Sequence, residues 1–181
     1  MPTRDRPAIT IRHASVDDAA ALTRLAATSF ADTFAADNDP GDMATYMSEA
    51  FGEEVQRAEL LDDRLVVMIA DCGGEPAGYA MLREGPADES VNATDAIEVA
   101  RLYADRRWIG AGVGAALMQR CLDEAAARGR STVWLGVWEH NTRAITFYRR
   151  WGFLQTGTHA FVLGGDHQTD HVMARPVAME G

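Results

Sequence analysis

The order of elements legible in this 181-residue chain predicts an α/β fold, with a mixed, largely antiparallel sheet flanked by helices. Three observations carry that expectation. Helical patterns cluster before residue 62, and an apolar hairpin follows them. From residue 96 the chain alternates strand, helix, strand, helix, strand, strand, which is not the repeated strand–helix unit of a doubly wound sheet. The chain shows no internal repeat, low-complexity tract or linker.

Taken in order, Ala8 to His13 alternates apolar and polar residues and reads as a strand. Ser15-Val16-Asp17-Asp18 has the pattern of a capping box, with the serine hydroxyl accepting from a free helix N–H. Leu22, Leu25, Ala26 and Phe30 then mark one face of a helix. Asp39-Pro40-Gly41-Asp42 is a second helix start, with proline at the first helical position. Met43, Tyr46, Met47, Ala50 and Phe51 follow at helical spacing and read as core packing. A third short helix covers Glu54 to Leu61. Leu65 to Ala70 is a buried strand, Cys72-Gly73-Gly74-Glu75 a turn, and Ala77 to Leu82 the returning strand. Glu84 to Thr94 is polar, contains Gly85 and Pro86, and reads as a loop. Ala96 to Ala104 is a strand, the helix after it runs to about Arg128, and Val133 to Trp138 is the next strand. A helix from Thr142 to Trp151 stops at Gly152. Leu154 to Val162 and Asp170 to Ala174 are the last strands, joined by a turn at Gly164-Gly165.

Composition narrows the function. Hydrophobic residues make up 47% of the chain, enough for a substantial core. No apolar run has the length to cross a bilayer, and residues 1–7 lack the apolar stretch of a signal peptide. The expectation is a cytoplasmic protein with no membrane partner. The net charge of −10 argues against nucleic acid as a partner, which calls for a basic face, and is compatible with a cationic one. All seventeen basic residues are arginine, so no lysine is available for a Walker-type loop or a Schiff base. Cys72 and Cys121 lack the spacing of a disulfide framework or a zinc site, and no metal is expected. Between Asp32 and Asp63 stand ten acids and one base, Arg57. A solvated helical face is the ordinary reading of such a run.

The most informative stretch is Arg107-Trp108-Ile109-Gly110-Ala111-Gly112-Val113-Gly114, set between a strand and a helix. Glycines let backbone approach an anion, free N–H groups at the helix start point at it, and the helix dipole adds partial positive charge. Gly110 to Ala115 also fits the dinucleotide fingerprint formally. It lies too late in the chain for that unit, and the acid it calls for, Glu139, is slightly too far on.

Arg107-x-x-Gly110-x-Gly112, with Asn141-x-x-Ala144-x-x-Phe147-Tyr148 and Gly152-Phe153 downstream, resembles the two signatures of the GNAT superfamily of N-acetyltransferases. Asp32-Thr33-Phe34, Asp42-Met43-x-x-Tyr46-Met47, Trp134 to Glu139 and Gln155 to His159 are similar to the PaiA-type spermidine/spermine acetyltransferases. The chain departs from that subfamily around Glu84 to Thr94. The resemblance extends over nearly the whole chain. It implies one N-acetyltransferase domain spanning 1–181, with acceptor-side helices at about 15–62, an acetyl-CoA-binding core at about 95–153, and a splayed central strand pair through which the thioester reaches the acceptor. Acetyl-CoA is the implied co-substrate. Family members often pair through sheet edges, which makes a homodimer an expectation by analogy.

Candidate residues follow. Backbone groups of Ile109, Gly110, Ala111, Gly112, Val113, Gly114 and Ala115 can hold the pyrophosphate, with side-chain charge from Arg107, Arg143 or Arg150. By family implication the strand at Leu102, Tyr103 and Ala104 pairs with the pantetheine amides. Asn141 and Tyr148 share one helix face beside the small Ala144. Tyr148, a protonated phenol at neutral pH, is the candidate acid for the leaving thiolate. Glu98, a carboxylate in an apolar strand, is the candidate base, with Glu139, His140 and His159 as rivals. An amine substrate with several ammonium groups would be attracted by carboxylates. Asp32, Asp37, Asp39, Asp42 and Glu49 are candidates in the acidic block, and Glu139 is a further acceptor-binding candidate. The leading expectation is acetyl transfer to the primary amine of a small cation such as spermidine or spermine. The alternatives are an amino-acid or peptide amine as acceptor, or an acyl-CoA-binding regulator without catalysis.

Overall fold

The computed structural model describes residues 8–177; the reading made on residues 1–7 lies outside them. The strands are β1 (Ile9–His13), β2 (Leu65–Cys72), β3 (Glu75–Glu84), β4 (Ala96–Ala104), β5 (Thr132–Trp138), β6 (Leu154–Leu163) and β7 (Asp166–Pro176). The helices are α1 (Ala19–Phe34), α2 (Pro40–Ala50), α3 (Glu53–Leu60), α4 (Val113–Ala127) and α5 (Thr142–Arg150). All seven strands join one sheet in the order β1-β2-β3-β4-β5-β7-β6. Every neighbouring pair is antiparallel except β4 and β5. The mixed, helix-flanked fold is therefore as expected.

The sheet carries a core on each face, which is why β2 is apolar at nearly every position. Val66, Met68 and Ala70 of β2 face α4 and α5 and pack with Leu117, Met118, Leu135 and Phe153. Val67 and Ile69 face α1–α3 and pack with Leu22, Phe30, Met43 and Phe51. The periodic residues of the α1 and α2 patterns are the ones buried in the second core. Asp39 starts α2 as its sequence indicates, accepting hydrogen bonds from the N–H groups of Gly41 (2.8 Å) and Asp42 (3.2 Å). At Ser15 the bonding that forms is the return half of the capping box. The Asp18 carboxylate accepts the Ser15 N–H at 2.8 Å, and Arg12 holds it from the other side.

Two readings shift. Asp166–Thr169, outside the last strand expected at Asp170 to Ala174, extends β7 by continuing the ladder with β6 from Leu163↔Asp166 to Ala160↔Thr169. Hairpin register outweighs the polar composition there. Cys72, expected in a turn, is the buried last residue of β2, paired with Glu75.

The feature that positions the site is a separation of strands. β4 and β5 pair only at Ala96↔Thr132, Ile97↔Val133 and Glu98↔Trp134. Beyond that they diverge, while β3 holds the far side of β4 and β7 holds β5 along its whole length. A bulge coincides with the divergence. Met81 pairs with Arg101 and Leu82 with Val99, leaving Ala100 without a partner on β3. The expected splayed central pair is this gap.

Among the described residues, no helix is long and apolar enough to cross a membrane.

Candidate active site

The gap opens beside the start of α4. Gly110 and Gly112 have φ of +83° and +100°, in the left-handed region that side chains disfavour. Gly112 is the residue before α4, and it offers no side-chain cap. The first amide bonded back into the turn is Ala116 N–H, donating to Gly112 O at 2.9 Å. The N–H groups of Val113, Gly114 and Ala115 have no acceptor among the described residues. Three such donors at a helix start, next to a glycine turn, fit a pyrophosphate. Arg107 stands at the rim, largely exposed, with its guanidinium shared between Asp105 (2.9 Å) and Glu75 (3.3 Å).

A cavity of about 460 Å³ runs from this turn through the gap. Ile109, Gly110, Gly112, Gly114 and Ala115 line one end, Leu102, Tyr103 and Ala104 line the β4 wall, and Asn141, Arg143, Ala144 and Tyr148 come from α5 and its N-cap. Ala111, Val113, Arg107 and Arg150 do not line it; Val113 is buried beneath the turn, and Arg150 is exposed. On the α1–α3 side the cavity ends in an aromatic enclosure formed by Phe30, Phe34, Tyr46, Phe51, Trp138 and Phe161.

Asn141 caps α5, its Oδ1 accepting the Ala144 N–H at 3.1 Å. That bond fixes the helix on which Tyr148 stands. The Tyr148 ring is 9% exposed and packs edge-on against Phe153, with centroids 5.9 Å apart. Its hydroxyl has no hydrogen-bond partner among the described residues, although it lines the cavity. Burial pushes its pKa above that of an ordinary phenol, and the neighbouring Cys121 adds to this. Cys121 is itself pushed up to about 12, chiefly by burial, so neither group ionises near neutrality.

Glu98 is placed differently. Its side chain is on the α1–α3 face, where Arg83 binds both carboxylate oxygens at 2.8 and 3.0 Å. It lines a second cavity of about 540 Å³ that adjoins the first through Tyr46, Ala100, Arg101, Gly136, Phe161 and Asp170. Of the acidic block, Asp32, Asp37, Asp39 and Glu49 are exposed and line neither cavity. Asp42 fixes the β6–β7 turn, accepting the Gly165 N–H at 2.7 Å. Glu139 and His140 lie side by side, 3.8 Å apart, also outside both cavities. The block does reach the second cavity through Glu59 and Asp62. Glu59 binds Arg101 at 2.8 and 2.9 Å, and Asp62 binds Arg64 at 2.8 Å.

Sequence reasoning missed Asp170, the one carboxylate that lines both cavities. It is 9% exposed, and burial raises its pKa above the ordinary carboxylate range. His159, expected only as a rival base, comes within 3.7 Å of it. The sequence signal was weak: Asp170 follows the polar run Asp166 to Thr169 and precedes His171, so nothing in its neighbours marks a buried carboxylate as the apolar strand around Glu98 does. Among the described residues, no group of three or more His, Cys, Asp or Glu side chains is placed to hold a metal ion.

A seven-stranded mixed sheet parted at its one parallel pair, with a glycine turn and a helix start at the mouth, is an architecture suited to an acyl-CoA-dependent transferase. Residues 28–153 match the acetyltransferase (GNAT) family, and the chain belongs to it. It is an N-acetyltransferase. An uncharacterised N-acetyltransferase of Lactobacillus delbrueckii subsp. lactis is 33% identical over 147 residues, covering 81% of this chain and 85% of its own. A spermine/spermidine N(1)-acetyltransferase of Bacillus subtilis is 27% identical over 85 residues, 46% of this chain and 56% of its own. In fold the chain is similar to the PaiA N-acetyltransferase of Thermoplasma acidophilum, solved with coenzyme A. The TM-score is 0.79 at 20% identity, over 93% of this chain and 99% of that one.

Proposed function

We propose that the protein transfers the acetyl group of acetyl-CoA to the primary amine of a small cation, in the class of spermidine and spermine, with Tyr148 as the proton donor to the departing sulfur. One observation carries the reading. The Tyr148 hydroxyl and the Asp170 carboxylate line the same cavity from opposite faces of the sheet, at the gap between β4 and β5. The coenzyme side would be held by the amides of Val113, Gly114 and Ala115, by Arg107 and Arg143 at the rim, and by the unpaired edge of β4 at 102–104. Acetyl-CoA supplies the thioester carbonyl. Tyr148 remains protonated across the physiological range and can give its proton to the leaving group. In this division, segment 15–62 serves the acceptor and segment 95–153 the coenzyme.

Two observations support a polyamine. The second cavity extends the first and carries further carboxylates, so an elongated cation has room for its remote amine. The Bacillus relative is named for this activity. A second reading, favoured by a different observation, is an acceptor with one ammonium on an apolar body. The first cavity is walled by aromatic rings, which hold a single cation well. In the second cavity Glu59, Asp62, Glu84 and Glu98 are each already paired with arginine.

The test is thiol release from acetyl-CoA across spermidine, spermine, amino acids, arylalkylamines and short peptides. Highest kcat/KM with spermidine or spermine supports the polyamine reading; highest values with arylalkylamines support the second. No thiol release with any amine overturns both.

A further inference from the structure

We propose that Asp170 is the group that takes the proton from the acceptor ammonium, with His159 as its route to solvent. This rests on the amine-acetyltransferase reading and names the base which that reading needs.

Four observations lead there. Asp170 Oδ1 is buried and has no hydrogen-bond partner among the described residues. The carboxylate lines the cavity that also contains the Tyr148 hydroxyl. Every other carboxylate of the adjoining cavity is engaged by arginine, and Glu98 has both oxygens taken by Arg83. Among the described residues Asp170 has no arginine partner; its neighbour is the His159 imidazole. His159 Nε2 lies 3.7 Å from Asp170 Oδ2, and His159 Nδ1 lies 3.3 Å from Asp88 Oδ2. Asp88 is in turn held by the N–H (2.9 Å) and hydroxyl (2.7 Å) of Ser90. The His159 side chain is 32% exposed, so the chain of groups begins in the cavity and ends at water.

Gly136 of β5 makes this placement feasible. A Cβ there would lie 2.9 Å from His159 Nε2 and 3.3 Å from Asp170 Oδ2. Both side chains therefore rest against bare backbone, opposite the diverging end of β4. Burial strengthens Asp170 as a proton acceptor, as the task requires. His159 and His171 pull its affinity down, and Glu139 pushes it up. Tyr46 of α2 and Arg101 of β4 also face the shared space, along with the paired Glu59 and Glu98.

The step balances as follows. The acceptor ammonium gives one proton to the Asp170 carboxylate, leaving a neutral amine and a carboxylic acid. The freed nitrogen lone pair forms the new C–N bond at the thioester carbonyl, and the carbon–sulfur bond breaks with its electron pair on sulfur. Tyr148 protonates that sulfur, and the proton still surplus on the amide nitrogen restores Tyr148. Asp170 then releases its proton through His159 to water. The net products are amide, free thiol and one proton.

The experiment measures the pH–rate profile of thiol release for wild type, Asp170→Asn and His159→Gln, using the best acceptor of the amine panel, with acetyl-CoA affinity by calorimetry and melting temperature recorded for each. Asp170→Asn is expected to lower kcat about a hundredfold and to remove the acid limb of the kcat/KM profile, with acetyl-CoA affinity unchanged. His159→Gln is expected to move that limb to higher pH, because a group that holds the carboxylate ionised is gone. This second variant keeps the idea testable even if the first fails to fold. An Asp170→Asn enzyme that keeps kcat and the acid limb overturns the proposal. So does a rise in KM alone, which makes Asp170 an anchor for the ammonium only, and so does an unmoved limb in His159→Gln. A wild type that acetylates amines while either variant gives these results sinks the base and leaves the function standing; a wild type inactive on every amine removes both.

Discussion

Tyr148→Phe removes one oxygen from the wall of the gap and nothing else. The Tyr148 hydroxyl has no hydrogen-bond partner in the described structure, so its loss leaves no orphaned group behind. The ring keeps its contacts with Phe147 and Phe153. The stability change is therefore within about 0.5 kcal/mol, or roughly 1–2 °C in Tm for a chain of this size. The catalytic change is larger. Positioned proton donation contributes about 10²–10⁴ in rate, or about 3–5 kcal/mol of barrier. The hydroxyl stands on the α4–α5 side of the gap and away from the glycine turn proposed for the pyrophosphate, so acetyl-CoA affinity is expected to be unaffected. Burial also fixes a pH signature. The phenol is pushed above its ordinary value, so the protonated donor persists through pH 9 and Tyr148 gives the wild type no basic limb below that. The assay is steady-state thiol release with calorimetric titration of acetyl-CoA and a melting curve. A kcat within about threefold of wild type, with fold and coenzyme affinity intact, refutes the assignment of Tyr148 as the acid.

Gly112→Val places a branched side chain at φ +100°, at the mouth of the α4 amides. Acetyl-CoA affinity by calorimetry is expected to fall at least tenfold, and unchanged affinity would move the pyrophosphate elsewhere. Asp170→Asn is expected to raise stability at neutral pH. Burial raises the folded pKa of Asp170 above its unfolded value, so ionised Asp170 costs folding free energy as pH rises through that pKa. The gain in Tm over wild type is therefore greatest at pH 7–8 and vanishes as pH falls; melting curves across pH check the sign.

The fold was legible because each element obeyed a local rule. The β2 run is apolar on both faces because two cores cover it, and α1 and α2 carry their apolar stripes where the second core needs them. The glycine turn before α4 was legible for a similar reason, since few residues besides glycine suit the φ values found at Gly110 and Gly112. The acceptor side was harder to read. Asp32 and Asp37 stand in a dense acidic run yet point to solvent, while the acids near the gap come from Glu59, Glu98 and Asp170, each on a different element. Charge density along a sequence reports a surface. A binding site depends on which faces the sheet brings together. Glu98 stands within an apolar strand, whereas Asp170 follows a polar run, so the sequence draws attention to the first acid and not to the second. The β3–β4 register, which puts Arg83 opposite Glu98, and the unpartnered Oδ1 of Asp170 separate them, and neither is a property of a single segment.

The gap itself explains how little of the chain must move for catalysis. A complete β4–β5 ladder would close the sheet and isolate Tyr148, on the α4–α5 face, from any amine arriving on the α1–α3 face. Three paired positions suffice to hold the strands at one end. Each strand is secured from outside, β4 by β3 and β5 by seven consecutive pairs with β7, so the opening is framed by strand ladders and not by loops. The bulge at Ala100 lets β4 leave its neighbour's direction without breaking the β3 pairing. Tyr148 and Asp170, the proposed donor and acceptor, thus stand on α5 and β7 and not on loops, and in the proposed reaction their orientation is supplied by the fold. Under the proposed function, selection falls to the aromatic wall on the α1–α3 side and to Asp170, which is the one carboxylate lining both cavities among the described residues.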